Sequence, residues 1–173
     1  MMRSAPLLSA LVALSMLPAC SLQPLYAGGP QGAAGQVLGS VDVAPIPGRA
    51  GWLVANELRD RLSAGEAGTG VARYRLDVRL DDELEGFGLL GDDTIGRERR
   101  TLRARYQLVD TATDTIVLDA TAGSDVGIDV VSSEYAVIAA EQTALERLAG
   151  EVADRVVTRL ALMGRAAGEA GGE

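Results

Sequence analysis

Histidine and lysine are missing from this chain, and cysteine, tryptophan and phenylalanine occur once each, as Cys20, Trp52 and Phe87. Without histidine there is no Ser–His or Cys–His pair, and the commonest general base is gone. A single cysteine rules out an intramolecular disulfide, and with no histidine beside it the usual zinc ligand sets cannot be assembled. Because lysine is absent, all 16 basic residues are arginine; they face 24 acidic ones, for a net charge of −8. That balance argues against nucleic acid as a partner, since a nucleic-acid-binding domain carries a basic surface. No apolar run approaches the ~20 residues needed to span a bilayer as a helix. Apolar residues still make up 47% of the chain, enough for a core and too many for a disordered polypeptide.

What is present begins with an export signal. Arg3 is the only charge before an apolar run from Ala5 to Leu17, which is the layout of a secretory leader. The lone cysteine sits where cleavage is expected. Leu17, Ala19 and Cys20 resemble a bacterial lipobox, in which the Cys20 thiol is acylated and becomes the new amino terminus. The alternative is an ordinary leader cut near Ala19, with Cys20 an incidental thiol. Several acyl chains on one residue meet the requirement of two or more anchoring signals for stable membrane attachment. The expected division is a signal peptide over 1–19, a lipidated terminus and flexible Gly/Ala linker over 20–36, one domain over 37–163, and a disordered Gly/Ala/Glu tail over 164–173.

Within the domain the hydrophobic period alternates between sheet and helix values. Val37 to Val43 reads as a first strand closed by Pro45 and Pro47. Trp52, Ala55, Leu58 and Leu62 then recur at helical spacing. Three strands follow, with inward sets Tyr74, Leu76, Val78, Leu80; Leu102, Ala104, Tyr106, Leu108; and Ile116, Leu118, Ala120, Ala122. Asp110 to Asp114 has the chemistry of a tight hairpin turn. A long helix opens at Ser132 or Ser133 and runs to about Met163, with Ile138, Leu145, Leu148, Val152, Val156 and Leu160 facing in. The order β-α-β-β-β-α predicts an α+β domain with two helices packed on one face of a four-stranded sheet.

Two groups of residues stand out on that frame. Arg73, Arg75 and Arg79 alternate along one strand, and Arg103 and Arg105 along the next, all out of phase with the apolar set. They should therefore line the open sheet face, where planar guanidinium forks suit phosphate. Neighbouring like charges disfavour one another, so acids or an anionic partner should lie close. The simpler reading is a solvated polar face in a protein whose only surface cation is arginine. The second group is Leu84 to Gly91, an apolar, Gly-rich loop whose Phe87, Leu89 and Leu90 have no periodic place in the core. Such a loop is either an interaction tip or a flap folded over the sheet edge. Asp81-Asp82-Glu83 and Asp92-Asp93 lack calcium-loop spacing and read as solvated acids rather than a metal site or a catalytic pair. Gly86, Gly88 and Gly91 precede a strand instead of a helix, which fails the context of a dinucleotide fingerprint.

Cys20-Ser-Leu-Gln-Pro-Leu-Tyr26, Val43-Ala-Pro-Ile-Pro-Gly-Arg49, Tyr74-Arg-Leu-Asp-Val78, the Arg99 to Tyr106 segment, and Tyr135-Ala136 opening the last helix together resemble alphaproteobacterial LptE, the lipopolysaccharide-assembly lipoprotein family. The resemblance covers nearly all the mature chain. It implies a non-enzymatic outer-membrane lipoprotein, without cofactor beyond the lipid on Cys20, that seats in the LptD β-barrel and helps place lipopolysaccharide in the outer leaflet. Ser21 after the cysteine is compatible with sorting to the outer membrane. Other roles consistent with the residues are an auxiliary lipoprotein of a different envelope transporter and, from another class, a lipid-anchored hydrolase using paired carboxylates.

Overall fold

A computed structural model describes residues 29–63, 72–89 and 95–170. The signal peptide, Cys20, Leu90 and the Asp92-Asp93 pair lie outside the described residues. After a short 3-10 turn come helix α1 (Ala33–Leu38), strand β1 (Val41–Val43), helix α2 (Gly48–Ser63), strands β2 (Tyr74–Leu89), β3 (Ile95–Asp110) and β4 (Thr115–Asp129), and helix α3 (Glu134–Ala170). The strands form one sheet in the order β1-β2-β3-β4. β1 runs parallel to β2, and the other two pairings are antiparallel. The α+β architecture, with helices on one sheet face, is as the alternation predicts.

The core lies between that face and the helices. Leu76, Leu102 and Leu108 from the sheet, Val54 and Leu58 from α2, and Leu148, Val152, Val156 and Leu160 from α3 are all fully buried. No polar or charged residue is buried among the described residues. Period-two strands and 3.6-period helices have brought their apolar sets to one shared layer. The turn between β3 and β4 is also as expected. The Asp110 carboxylate accepts a hydrogen bond from the Ala112 N–H at 2.9 Å, and Asp114 sits at φ +52°, a conformation tolerated best by Asp, Asn and Gly.

The strands are longer than their apolar segments. The stretch Leu84 to Leu89, expected to be a loop, is the end of β2, in register with β3 through Phe87 opposite Arg97 and Leu89 opposite Ile95. Pairing to β3 satisfies this Gly-rich backbone, so ladder hydrogen bonds override weak strand propensity. α2, at about 24 Å, spans only about half the length of β2. Asp81 to Gly88 is consequently exposed on both faces.

Three apolar positions differ from expectation. Trp52 is 64% exposed, because the inward stripe of α2 is Gly51, Val54, Ala55, Leu58 and Leu62. Ile138 is exposed in the second turn of α3, beside the bare end of the sheet. Ile116 is exposed as well, because a register shift makes Val109 pair with Ile116 while Leu108 pairs with Leu118. Val117 is the extra residue of this β-bulge, and a bulge interrupts the in–out alternation.

The two ends of the domain pack on each other. Residues 33–38, expected as linker and strand start, form α1, and α3 continues to Ala170 through the segment expected to be a disordered tail. A helix of six residues is not stable alone. Here Ala34 and Leu38 are buried, and a Cβ placed on Gly164 would meet the Ala33 carbonyl oxygen at 3.1 Å and Val37 Cγ2 at 3.0 Å. Glycine is what lets α1 lie this close to α3. Gly164→Leu should therefore destabilise the domain by about 1–3 kcal/mol through overpacking. Hydrogen exchange checks the cause: amides of α1 should lose protection while those of the central α3 keep theirs.

Candidate functional site

Strand parity places Arg75 and Arg79 of β2 and Arg103 and Arg105 of β3 on the sheet face away from the helices, while Arg73, expected beside them, precedes β2 and stands 5.0 Å from the Tyr74 ring centroid. The structure divides these five by their partners. At the turn end, Arg73 pairs with Asp110 at 3.5 Å, and Arg75 with Asp77 at 3.1 Å. Towards the middle, Arg79 stands directly opposite Arg105 across the β2–β3 ladder, with Arg103 one row further on, opposite Asp81. Arg105 is held by Asp119 at 3.0 Å. Arg79 and Arg103 form no ion pair among the described residues. The middle of the open face thus carries three contiguous guanidinium groups with one neutralised by a paired acid.

The surrounding residues shape this cluster into a shallow cleft of about 500 Å³, lined by Arg79, Asp81, Arg103, Arg105 and Thr121, with Gly123 at the β4 side. The Arg103 stem crosses Gly123, where an added Cβ would stand 3.1 Å from Arg103 Cγ. At the end of the same face Phe87 is half exposed, with the Arg99 guanidinium 5.3 Å from its ring centroid. That geometry is a cation–π contact. The two candidate groups are therefore on one continuous surface, but they are not brought into contact. Leu89 closes β2 beyond Phe87, and Leu84 is exposed on the other face.

Hydrogen bonding rather than burial sets three carboxylates: Asp119 beside the cleft, Asp110 at the β3–β4 turn and Glu151 on α3. The Asp119 carboxyl lies below the usual carboxylate range because Arg105, then Gln107, donate to it. Asp110 is lowered too, first by the Ala112 backbone N–H, and Glu151 by the Ser124 hydroxyl and then Arg147. A carboxylate with a depressed folded-state pKa contributes stability above its unfolded value and loses it as pH falls through the folded value. Stability should hold down to about pH 4, the ordinary carboxylate range, and decline below it. Asp119→Asn should make that acid-side decline shallower in a melting-temperature series from pH 6 to pH 2.

Some structurally active residues escape the sequence patterns used above. Arg100 looks like one more charge in Arg97-Glu-Arg-Arg100, yet it forks onto Asp82 at 2.7 and 2.8 Å and donates to the Glu141 carbonyl of α3 at 3.0 Å. Its parity was the available signal, since 100 and 82 continue the inward phases of their strands. Arg155 and Arg159 were not separable from the solvated side of a helix, because their position depends on where α3 crosses β4. Asp82 is thereby accounted for by an ion pair, and no acidic cluster suited to a metal ion exists among the described residues.

A two-layer domain with helices on one face of a four-stranded sheet is a fold shared with bacterial lipoproteins of known structure. A putative lipoprotein from Caulobacter crescentus aligns with a TM-score of 0.64 and 25% identity, covering 80% of this chain and 98% of the other. A minor lipoprotein from Acinetobacter baumannii has the same fold at 13% identity and a TM-score of 0.57, over 70% of this chain and 90% of its own. The rare lipoprotein B of Shewanella oneidensis does so at 12% identity and 0.54, over 76% and 95%. No curated protein matches the chain. Residues 38–160 match the family LptE, described as lipopolysaccharide-assembly, and the chain belongs to that family. Membership carries a lipopolysaccharide-assembly role.

Proposed function

We propose that this protein is an outer-membrane lipoprotein, anchored through acylated Cys20, that works with the LptD β-barrel and engages lipopolysaccharide on its open sheet face. The observation that carries the ligand reading is the position of Arg79 and Arg103. Both are cations without an acidic partner among the described residues, and both stand beside Arg105 on an exposed sheet. Like charges at directly opposed strand positions cost stability, and a dianionic phosphate ester bridging Arg79 and Arg103, the two without an ion pair among the described residues, would relieve that cost on binding. Lipid A supplies such phosphates. Arg73 and Arg75 belong to the original patch but are compensated by Asp110 and Asp77, so they contribute less.

The same face ends in Phe87 and the bare half of β2, which supports a role for this end of the hairpin against an apolar partner surface such as a barrel wall or an acyl chain. The test is a titration of the isotopically labelled mature domain with lipopolysaccharide, followed through the arginine side-chain signals. Shifts should concentrate at Arg79, Arg103 and Arg105 and should vanish with dephosphorylated lipopolysaccharide. Equal binding of the dephosphorylated form would refute the phosphate reading.

A further inference from the structure

The far side of β4 is a second feature that the open face does not use. β4 is the last strand of the sheet, and its outer edge pairs with no other strand among the described residues. An edge strand presents alternating unpaired N–H and C=O groups, and proteins blunt such edges with lysine, proline, inward charges or bulges. Here the bulge at Val117 bounds one end of the accessible edge. At the other end Arg155 of α3 donates to the Gly123 carbonyl, and its second nitrogen lies 3.4 Å from the Ser124 hydroxyl. Between them Leu118 to Ala122 has no proline, and its single charge, Asp119, points to the open face and is held there by Arg105. By contrast, the part of β2 beyond its pairing with β1, which has no further strand beside it among the described residues, carries Asp81, Asp82, Glu83 and Glu85.

The surroundings of that short edge are cationic on both sides. Arg147, Glu151, Arg155 and Arg159 are spaced by four on α3 and share one helix face. Glu151 is taken by Arg147 at 3.1 Å and by Ser124. Arg155 and Arg159 make no ion pair among the described residues, and they form with Tyr106 and Ala120 to Gly123 a shallow groove beside β4. Across the strand, Arg103 and Arg105 lie against Gly123 and Thr121.

We propose that the Leu118–Ala122 edge takes an extended, acidic polypeptide segment of a partner protein, which adds as a fifth strand. Ladder hydrogen bonds supply the affinity in this mode, and side chains alternating to the two faces supply specificity. Acids at alternate positions of such a strand all project to one face, where they meet Arg155 and Arg159. A phosphorylated lipid has no matching row of donors and acceptors. A second copy of this chain would bring its own arginine row against this one. The inference stands independently of lipopolysaccharide binding, because Arg155 and Arg159 lie on the helix side of the sheet.

The probe is a seven-residue synthetic peptide of alternating glutamate and valine, titrated into the labelled mature domain. Backbone amides of Leu118 to Ala122 should shift and exchange more slowly, and the effect should weaken with salt. The double variant R155E/R159E should lose at least ~10-fold in affinity, and R159Q alone, the milder change at an exposed position, should lose less. A lysine-for-glutamate peptide, or one N-methylated at alternate amides, should not bind. Equal binding of either control, shifts confined to the open face, or no binding by millimolar peptide would each overturn the proposal. So would a concentration-dependent dimer through β4, or phosphorylated lipid shifting Arg155 and Arg159 where the peptide does not.

Discussion

Exchanging Arg79 and Arg103 together for serine should weaken lipopolysaccharide binding by at least ~10-fold, while the same exchange at Arg73 and Arg75 should change it little. The asymmetry follows from partners. Arg73 and Arg75 are already paired with Asp110 and Asp77, whereas Arg79 and Arg103 have no ion-paired acid among the described residues to release when an anion arrives. A bidentate guanidinium–phosphate contact is charge-assisted and worth roughly 1.5–3 kcal/mol, and two such contacts account for the expected loss with room for solvent screening. Stability should move the other way. Arg79 and Arg105 are directly opposed cations, so Arg79→Ser should be neutral or stabilising by up to about 1 kcal/mol. Binding measured by surface plasmon resonance and melting measured on the same samples separate the two effects. A double variant that melts early and binds weakly would show only that the face is structural.

Leu148→Ala should cost about 3 kcal/mol, whereas Ile138→Ala, ten residues earlier on the same helix, should cost less than about 0.5 kcal/mol. Leu148 is fully buried where α3 crosses α2 and β3, in a layer with Val152 and Leu58, and its truncation leaves a cavity that the surrounding sheet cannot close. Ile138 is 43% exposed. For a domain of this size ~3 kcal/mol is a large share of the total stability and corresponds to a fall of roughly 10 °C in Tm. Chemical denaturation should show an unchanged slope with a shifted midpoint for Leu148→Ala.

That pair also shows how far the sequence can be read. Both residues sit on one 3.6-period stripe, and periodicity says which face of a helix points inward. It does not say how far along the helix the opposing layer extends, and α2 stops halfway along β2. Trp52 differs for another reason: the buried stripe of α2 runs through Gly51, Val54, Ala55, Leu58 and Leu62, which turns Trp52 outward. Strand parity was a stronger guide. It put Arg75, Arg79, Arg103 and Arg105 of the candidate face on one side of the sheet without reference to any contact, and it also carried the inward phase of Arg100 and Asp82. Which arginines are compensated depends on cross-strand register, set by the hairpin and the bulge at Val117, and alternation alone does not supply that.

The extension of β2 through Gly86 and Gly88 and the docking of α1 on Gly164 were illegible for a related reason. Both segments are poor formers of the structure they adopt. One is held by the ladder to β3, the other by close helix contact at a glycine. Gly/Ala-rich ends that look like linker and tail when taken singly become complementary surfaces when the fold places them side by side. The unguarded edge of β4 belongs to the same class, since a strand reveals that it is last in its sheet only when the sheet order is known.

The role proposed for this chain, lipopolysaccharide assembly at an outer-membrane β-barrel, is decided by what the protein holds in its own membrane. The most direct measurement is to isolate a tagged full-length protein from outer membranes in mild detergent and identify what remains bound by mass spectrometry. A stoichiometric barrel of the LptD type should be recovered, and should be absent from a control carrying only the leader and lipidated terminus. Recovery of an inner-membrane transporter in its place, or of no barrel at all, would contradict the proposed role.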